Sequence, residues 1–267
     1  MKITAEEIYK SIEMIRCQAP VVHNITNYVV MNNTANALLA IGASPVMAHA
    51  PEEVAEMVNI ASALVINIGT LSEHWINAMF KAERQAGEKG IPVILDPVGA
   101  GATSYRTKTA RDLIAADTPA IIRGNASEIM VLYDDKTKTK GVDSAASSDK
   151  AMDTARKLSE THQCVVCVSG AVDYIIDRDK VVKIKNGHPM MASVTGLGCT
   201  ASALCGAFAA VERDLFKATA SAMAVMGVAG EMAAAKAAGP GSMQMHFLDC
   251  LYHLSQDDLA RLLKIED

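Results

Sequence analysis

Aromatic side chains are scarce: they make up 4% of the 267 residues, and only one is Trp. Half the chain is hydrophobic, so the core must be built from Ala, Val, Ile, Leu and Met. Positive charge is not in excess either. The 25 Lys and Arg residues are outnumbered by 30 Asp and Glu, for a net charge of −5. That argues against nucleic-acid binding through the whole surface. No apolar run reaches the roughly 18 residues expected of a membrane span. The opening MKITAEEIYK is acidic and polar, unlike a secretory signal, so a cytoplasmic location is expected.

Several motifs are also missing. There is no G-x-x-x-x-G-K-[ST] string, which excludes a P-loop NTPase. The seven histidines show neither H-E-x-x-H nor H-x-x-x-H spacing. The six cysteines (Cys17, Cys164, Cys167, Cys199, Cys205 and Cys250) are scattered, as expected of reduced thiols. Cys164-x-x-Cys167 has the spacing of a metal or redox pair. It lies in QCVVCVSG, a β-branched run that reads as a buried strand. Residues three apart on a strand point to opposite faces, which counts against a shared metal.

The stretch with the most chemistry in it is Val194–Thr200, VTGLGCT, followed by the uncharged run ASALCGAFAAV over 201–211. This reads as a glycine-rich turn feeding the N-terminus of a buried helix. Such a terminus has unpaired N–H groups and the positive end of the helix dipole, a ready anion site. Cys199 sits at that terminus, where a thiol's pKa tends to fall. The alternative is a simple turn, with Cys199 a small core hydrophobe. Gly196-x-Gly198-x-x-Ala201 also fits the relaxed dinucleotide fingerprint. However, MMASVT before it is a weak strand, and no acid follows about 20 residues later.

Along the chain, Thr4 and Glu7 form a capping-box pattern opening a helix from about Ala5 to Cys17. A short strand starts over 20–22, and 23–27 reads as a polar, amide-rich loop. A helix over 30–41 closes at Gly42, and a strand covers 44–47. Pro51 suits a first helical turn, with Glu52 and Glu53 behind it and the helix running to about Ala61. Strands are expected at 63–68, 92–95, 120–123 and 164–169. Helices are expected from Ser72 to about Glu88, over 105–116, over 127–133 with Ser127 as cap, and over 149–160. The polar stretch 135–148 reads as a surface excursion. Strands at 174–176 and 181–184 form a hairpin at one sheet edge. The C-terminal part is helical over about 215–237 and 243–253, with a last helix from near Gln256.

Strand followed by helix, repeated, argues one α/β domain spanning 1–267: a largely parallel central sheet with helices on both faces. Ligands bind such sheets beyond the carboxyl ends of the strands. The polar residues there are Asn67, Gly69 and Thr70; Asp96; Arg123, Asn125 and Glu128; and Ser169 and Gly170. Asp96 and Glu128 beside an anion turn suggest Mg²⁺, which favours oxygen ligands, keeps waters and is completed by phosphate. Each also has a plain alternative, Asp96 capping a turn and Glu128 its own helix. Arg123 could clamp a phosphate as a fork of donors, or form a surface ion pair. Together these groups fit phosphoryl transfer.

Six strings carry a family resemblance: VVHNITNYVVMNNTANALLAIGASPVM (21–47), VINIGTL (65–71), VILDPVGAGATSYR (93–106), IIRGNASEI (121–129), VSGAVDYI (168–175) and VTGLGCT (194–200). Over essentially its whole length the chain resembles the hydroxyethylthiazole kinases of the ribokinase-like superfamily. Asn125-x-x-Glu128 is similar to that superfamily's N-x-x-E element, associated with Mg²⁺ and phosphate. The resemblance implies ATP- and Mg²⁺-dependent phosphorylation of the hydroxyl of 4-methyl-5-(2-hydroxyethyl)thiazole, a thiamine salvage step. It places Cys199 facing the alcohol, where many ribokinase relatives carry Asp. Gly196, Leu197 and Gly198 would offer N–H groups to the transferring phosphoryl. Arg123 and Ser169 would contact ATP. Met47 and Gly196 would line the thiazole site, with Asn27 and Gly69 as further candidates. A homotrimer with active sites near subunit boundaries is also implied.

Competing readings are a ribokinase-like kinase for another small alcohol such as hydroxymethylpyrimidine, and a nucleotide-binding sensor without catalysis. A thiol hydrolase would need a histidine beside Cys199, and the sequence places none.

Overall fold

The structure is a computed structural model that describes residues 3–133 and 145–266, without the side chains of 145–149. Most of the polar stretch expected at 135–148 therefore lies outside the described residues. In chain order the elements are α1 (Ala5–Gln18), β1 (Val21–Ile25), α2 (Met31–Ile41), β2 (Ser44–Val46), α3 (Val54–Ile60), β3 (Ala63–Asn67) and α4 (Glu73–Lys89). Then come β4 (Val93–Asp96), α5 (Ser104–Ala116), β5 (Ile121–Asn125), α6 (Ala126–Tyr133), α7 (Ala145–His162) and β6 (Val165–Ser169). The last part holds β7 (Asp173–Asp177), β8 (Lys180–Ile184), a 3-10 turn (Pro189–Ser193), α8 (Leu197–Ala209), α9 (Leu215–Lys236), α10 (Pro240–His253), α11 (Gln256–Leu262) and β9 (Ile265–Glu266).

The strands form one nine-stranded sheet in the order β2-β1-β3-β4-β5-β6-β7-β8-β9. Pairs from β2 through β6 are parallel, and β7, β8 and β9 add antiparallel at one side. Period-two alternation divides the core. On β3, Ala63 and Val65 face a cluster with α1, α2, α8, α9 and α10, while Leu64 and Ile66 face one with α3 to α7. Cys167 falls in the first cluster and Cys164 in the second, so the C-x-x-C pair is split across the sheet.

The helix starts follow local chemistry. Glu7 N donates to Thr4 Oγ1 at 3.3 Å and Thr4 N donates to Glu7 Oε2 at 3.1 Å, the reciprocal cap read from the sequence. Trp75 N donates to Ser72 Oγ at the start of α4.

Several boundaries differ from expectation. His23 and Asn24 are not in a loop but in β1, both with 0% exposure. One polar atom of each is satisfied, His23 Nε2 by Ala48 O and Asn24 Nδ2 by donating to Val22 O, whereas His23 Nδ1 and Asn24 Oδ1 are buried without partners. Pro51, Glu52 and Glu53 form a turn ahead of α3 rather than its first turn. α10 begins at Pro240, three residues before the expected start at 243, with the proline in its first turn. The weak strand before the glycine turn is the 3-10 turn Pro189–Ser193. The hairpin of β7 and β8 is not the sheet edge, because β9 pairs outside β8 and Lys185 bonds Glu266.

α9 is long and apolar enough to cross a membrane, with mean hydropathy 1.3 over its best window, yet 78% of that window is buried in the fold. Lys217 and Glu231 interrupt the apolar run in the sequence without breaking the helix, so no uninterrupted run is as long as a membrane span.

Candidate active site

The sheet and α8 meet at the carboxyl ends of β1, β3, β4, β5 and β6. Gly196 caps α8 with φ 90°, a left-handed conformation that a side chain would oppose. A Cβ there would also lie 2.8 Å from Val30 Cγ1. The first intrahelical bond is Thr200 N to Gly196 O at 2.8 Å. The N–H groups of Leu197, Gly198 and Cys199 precede it and point out of the helix end. Gly198 lies against Arg123, whose Nη1 would be 3.1 Å from a Cβ at that position. Arg123 Nη2 donates to Ser169 Oγ at 2.8 Å, and Ser169 Oγ donates to Gly124 O at 3.2 Å. Arg123 Nε is buried without a partner, so the guanidinium retains unused donor capacity.

A network of amides lies behind Cys199. Asn27 Nδ2 donates to Cys199 Sγ at 3.4 Å and to Asn67 Oδ1 at 2.9 Å. Gly69 N donates to the same Asn67 oxygen at 2.9 Å. Gly69 packs so tightly on Asn27 that a Cβ would meet its Nδ2 at 2.6 Å. Asn67 Nδ2 donates to Asp96 Oδ2 at 2.7 Å, and Ser202 Oγ donates to that oxygen at 2.8 Å. Asp96 is fully buried and its Oδ1 has no partner. Burial pushes the Asp96 carboxyl up to about 7; the Arg123 charge opposes this and Glu128 adds to it.

The expected fall in the Cys199 pKa is overturned. Burial first, and the Asp96 charge second, push the thiol up to about 11. Hydrogen bonds from Asn67 and Asn27 and the Arg123 charge act the other way but do not win. Desolvation of the thiolate is the largest of these causes.

Glu128 accepts Gly99 N on Oε1 at 2.8 Å and Asn125 N on Oε2 at 2.9 Å, while Glu128 N donates to Asn125 Oδ1 at 2.9 Å. Asn125, not Ser127, therefore caps α6. Among the described residues no group of three or more His, Cys, Asp and Glu could hold a metal. Asp96 and Glu128 are the two acids the sequence offers for a metal. The bare Asp96 Oδ1 fits a cation such as Mg²⁺, which takes few protein ligands and fills its shell with water and phosphate.

The structure thus brings together Asn27, Gly69, Asp96, Arg123, Asn125, Glu128, Ser169, Gly196, Gly198 and Cys199. Met47 is half-buried just past β2, and its carbonyl pairs with His49 Nδ1 at 3.2 Å. Next to it is an unforeseen aromatic group. Trp75, 2% exposed, has its ring 4.6 Å from both Tyr28 and His49.

Sequence reasoning also missed Ser202, Asp173 and Arg106. Ser202 is hidden in an apolar run. Arg106 ties the loops after β3 and β4 by donating to Ile68 O, Val98 O and Gly69 O. Its signal was a lone charge after PVGAGATSY. Asp173 accepts Gly170 N at 3.0 Å, and burial pushes it up to about 6 against the pull of that hydrogen bond and of Arg123. It lines a cleft of about 610 Å³ that starts at Arg123, Ser169 and Gly198 and runs to Met223 and Met226.

The sequence model of the hydroxyethylthiazole kinase family matches residues 12–257. The chain belongs to the hydroxyethylthiazole kinase family. A hydroxyethylthiazole kinase of Syntrophus aciditrophicus (strain SB) is 59% identical over 266 residues, 99% of this chain and 98% of that one. The hydroxyethylthiazole kinase structure from Pyrococcus horikoshii OT3 superposes with a TM-score of 0.91 at 41% identity, covering 98% of each chain. A ribokinase-like superfamily protein from Enterococcus faecalis V583 gives a TM-score of 0.63 at 14% identity, over 90% of this chain and 87% of that one. That last likeness is one of fold, and the family shares the ribokinase-like architecture of a central sheet between helical layers.

Proposed function

We propose that the protein transfers the γ-phosphoryl group of ATP to the hydroxyl of 4-methyl-5-(2-hydroxyethyl)thiazole, a thiamine salvage reaction. The observation that carries this reading is the position of the α8 N-terminus. It stands between the 610 Å³ cleft, which Gly198 and Arg123 border, and the Cys199 sulfur, which Asn27 holds. ATP in the cleft would direct its phosphates toward Arg123, Ser169 and the free N–H groups of Leu197 and Gly198. The alcohol would enter on the Cys199 side, with Asn27, Gly69 and Gly196 around the ring; the family resemblance adds Met47.

In the transfer the alcohol oxygen forms a bond to the γ-phosphorus. The bond from that phosphorus to the bridging oxygen breaks, and ADP leaves with the electron pair. The alcohol proton leaves late, to solvent or a phosphoryl oxygen. The elevated Cys199 thiol pKa supports this order, because a neutral thiol orients the alcohol rather than deprotonating it. Asp96 and Glu128, with Asn125 fixing Glu128, would hold Mg²⁺, and the bound cation would supply charge neutralisation on the phosphates.

The reading includes a homotrimer with sites near subunit boundaries. In support, Tyr28 and Val29, 65% and 64% exposed, directly follow Asn27. It also includes a cytoplasmic location, supported by six free thiols.

The test is incubation with ATP, Mg²⁺ and the thiazole alcohol, following thiazole phosphate, beside hydroxymethylpyrimidine, ribose and an EDTA control. Metal-dependent turnover of the thiazole alone is expected. Turnover of another alcohol would move the substrate, and ATP binding without turnover would favour a sensor. Sedimentation equilibrium tests the trimer.

A further inference from the structure

One backbone N–H sets the polarity of the amide network. An Asn side chain has an acceptor end and a donor end of the same shape, and the surrounding partners decide which end points where. Gly69 N can only donate, so the Asn67 atom that meets it at 2.9 Å is oxygen. The other end is then NH₂ and faces Asp96 Oδ2 at 2.7 Å. The same Asn67 oxygen meets Asn27, which must therefore present its own NH₂ and place the second hydrogen on Cys199 Sγ. Asn67 and Asp96 are register partners on β3 and β4, so the backbone ladder holds this spacing.

Ser202 closes the circuit. It lies one helical turn after Cys199 on α8, and its hydroxyl donates to Asp96 Oδ2 at 2.8 Å. Oδ2 is thus filled twice, whereas Oδ1 is bare. Rotating the carboxylate would forfeit both bonds inside a fully buried site.

We infer that Asn67 and Ser202 are positioning residues for the reaction: they clamp one oxygen of Asp96, leave the other unpaired, and tie that carboxylate to the Cys199 sulfur through Asn27. Neither needs to touch substrate. The inference rests on the phosphotransferase reading of Asp96 and Cys199 given above.

Two variants separate the parts. Ser202→Ala removes one donor to Oδ2 and little volume. Asn67→Asp keeps the shape and the acceptor for Gly69 and Asn27, but sets a carboxylate against Asp96. The measurements are kcat and KM for both substrates and the free Mg²⁺ needed for half-maximal rate. A further readout is the rate at which iodoacetamide alkylates the half-buried Cys199 in metal- and nucleotide-free protein, identified by peptide mass because Cys17 is exposed.

Ser202→Ala is expected to lower kcat roughly tenfold, the size of one charge-assisted hydrogen bond, to raise the Mg²⁺ requirement and to leave KM for the alcohol unchanged. Asn67→Asp is expected to lower kcat roughly a hundredfold or more, with Cys199 alkylated several-fold more slowly because added negative charge disfavours the thiolate. Variants that only melt earlier, with wild-type kcat, Mg²⁺ requirement and Cys199 alkylation, would overturn the inference and make the two residues scaffold. If Asn67→Asp does not fold, the Ser202→Ala kinetics decide. If the wild-type protein phosphorylates no alcohol, the kinase reading fails while the alkylation comparison, which needs no substrate, still tests the coupling.

Discussion

Asn125 and Glu128 cap one another: Asn125 N donates to Glu128 Oε2, and Glu128 N donates to Asn125 Oδ1, each at 2.9 Å. The other Glu128 oxygen holds Gly99 N, so this side chain also fastens the loop after β4 to the start of α6. Capping and metal holding were rival readings of Glu128 in the sequence. The cap is formed, and the charge of the same carboxylate also reaches Asp96, whose pKa it helps to raise.

Glu128→Gln follows from that geometry. The amide has one acceptor oxygen for two N–H groups, so one bond is lost and stability falls by about 1–3 kcal/mol. Thermal melting should show that loss, and a Mg²⁺ titration of the rate should show a raised requirement. Wild-type Mg²⁺ dependence in a folded Glu128→Gln protein would remove Glu128 from the metal site.

Cys199 should behave as a neutral thiol near pH 7. With its pKa pushed up to about 11, alkylation in metal- and nucleotide-free protein should climb about tenfold per pH unit well past the range where a free thiol, near 8.5, levels off. The fold favours the protonated form. That contribution is present below the unfolded pKa and is lost as pH rises through the folded one, so Cys199→Ala should gain relative stability above about pH 8.5. Cys199→Ala should lose turnover and keep ATP affinity. Cys199→Asp should keep activity, and a folded, ATP-binding but inactive Cys199→Asp would defeat the view that the position only orients the alcohol.

Glu83 on α4 is 1% exposed, and neither of its carboxyl oxygens has a partner. Burial, with the Asp117 charge second, pushes its pKa up to about 9. A raised acid is fully tolerated below its unfolded pKa and costs stability as pH rises toward the folded value. Between about pH 5 and 9, wild type should lose on the order of 1.4 kcal/mol per pH unit relative to Glu83→Gln. Chemical denaturation of both proteins across that range measures the slope, and parallel curves would count against a buried neutral acid.

Gly196→Ala should cost about 1–3 kcal/mol from its left-handed backbone alone, with more from the contact at Val30. Activity should fall with it, since the α8 N–H groups would turn. Gly239→Ala is the control, because its φ of 177° is extended and no atom lies within 4 Å of a Cβ there. Comparable losses in both variants would show that the glycine turn has no special requirement.

Much of the site could be read in advance because it depends on chain-local rules. The glycine turn feeds α8 as expected, and polar residues just past each parallel strand do converge. What resisted reading depends on neighbours distant in sequence. Asn67 appeared as one more rim residue; its role emerges only when β3 lies beside β4 and Gly69 N points at its oxygen. Ser202 looked like filler in ASALCGAF. The Cys199 pKa was misjudged because a helix end is visible in sequence and the surrounding burial is not. His23 looked like a loop residue since its partner, Ala48 O, is brought to it only by the fold.

The buried helix α9 matters before the protein is complete. Its packing partners include α8, made earlier, and α10, made later. While α10 is still inside the ribosome, the nascent chain carries a 22-residue apolar helix with only part of its cover. At that stage a chaperone or a lipid surface competes for the same face, and slowing translation just before residue 240 should raise the fraction of newly made chains lost to aggregation.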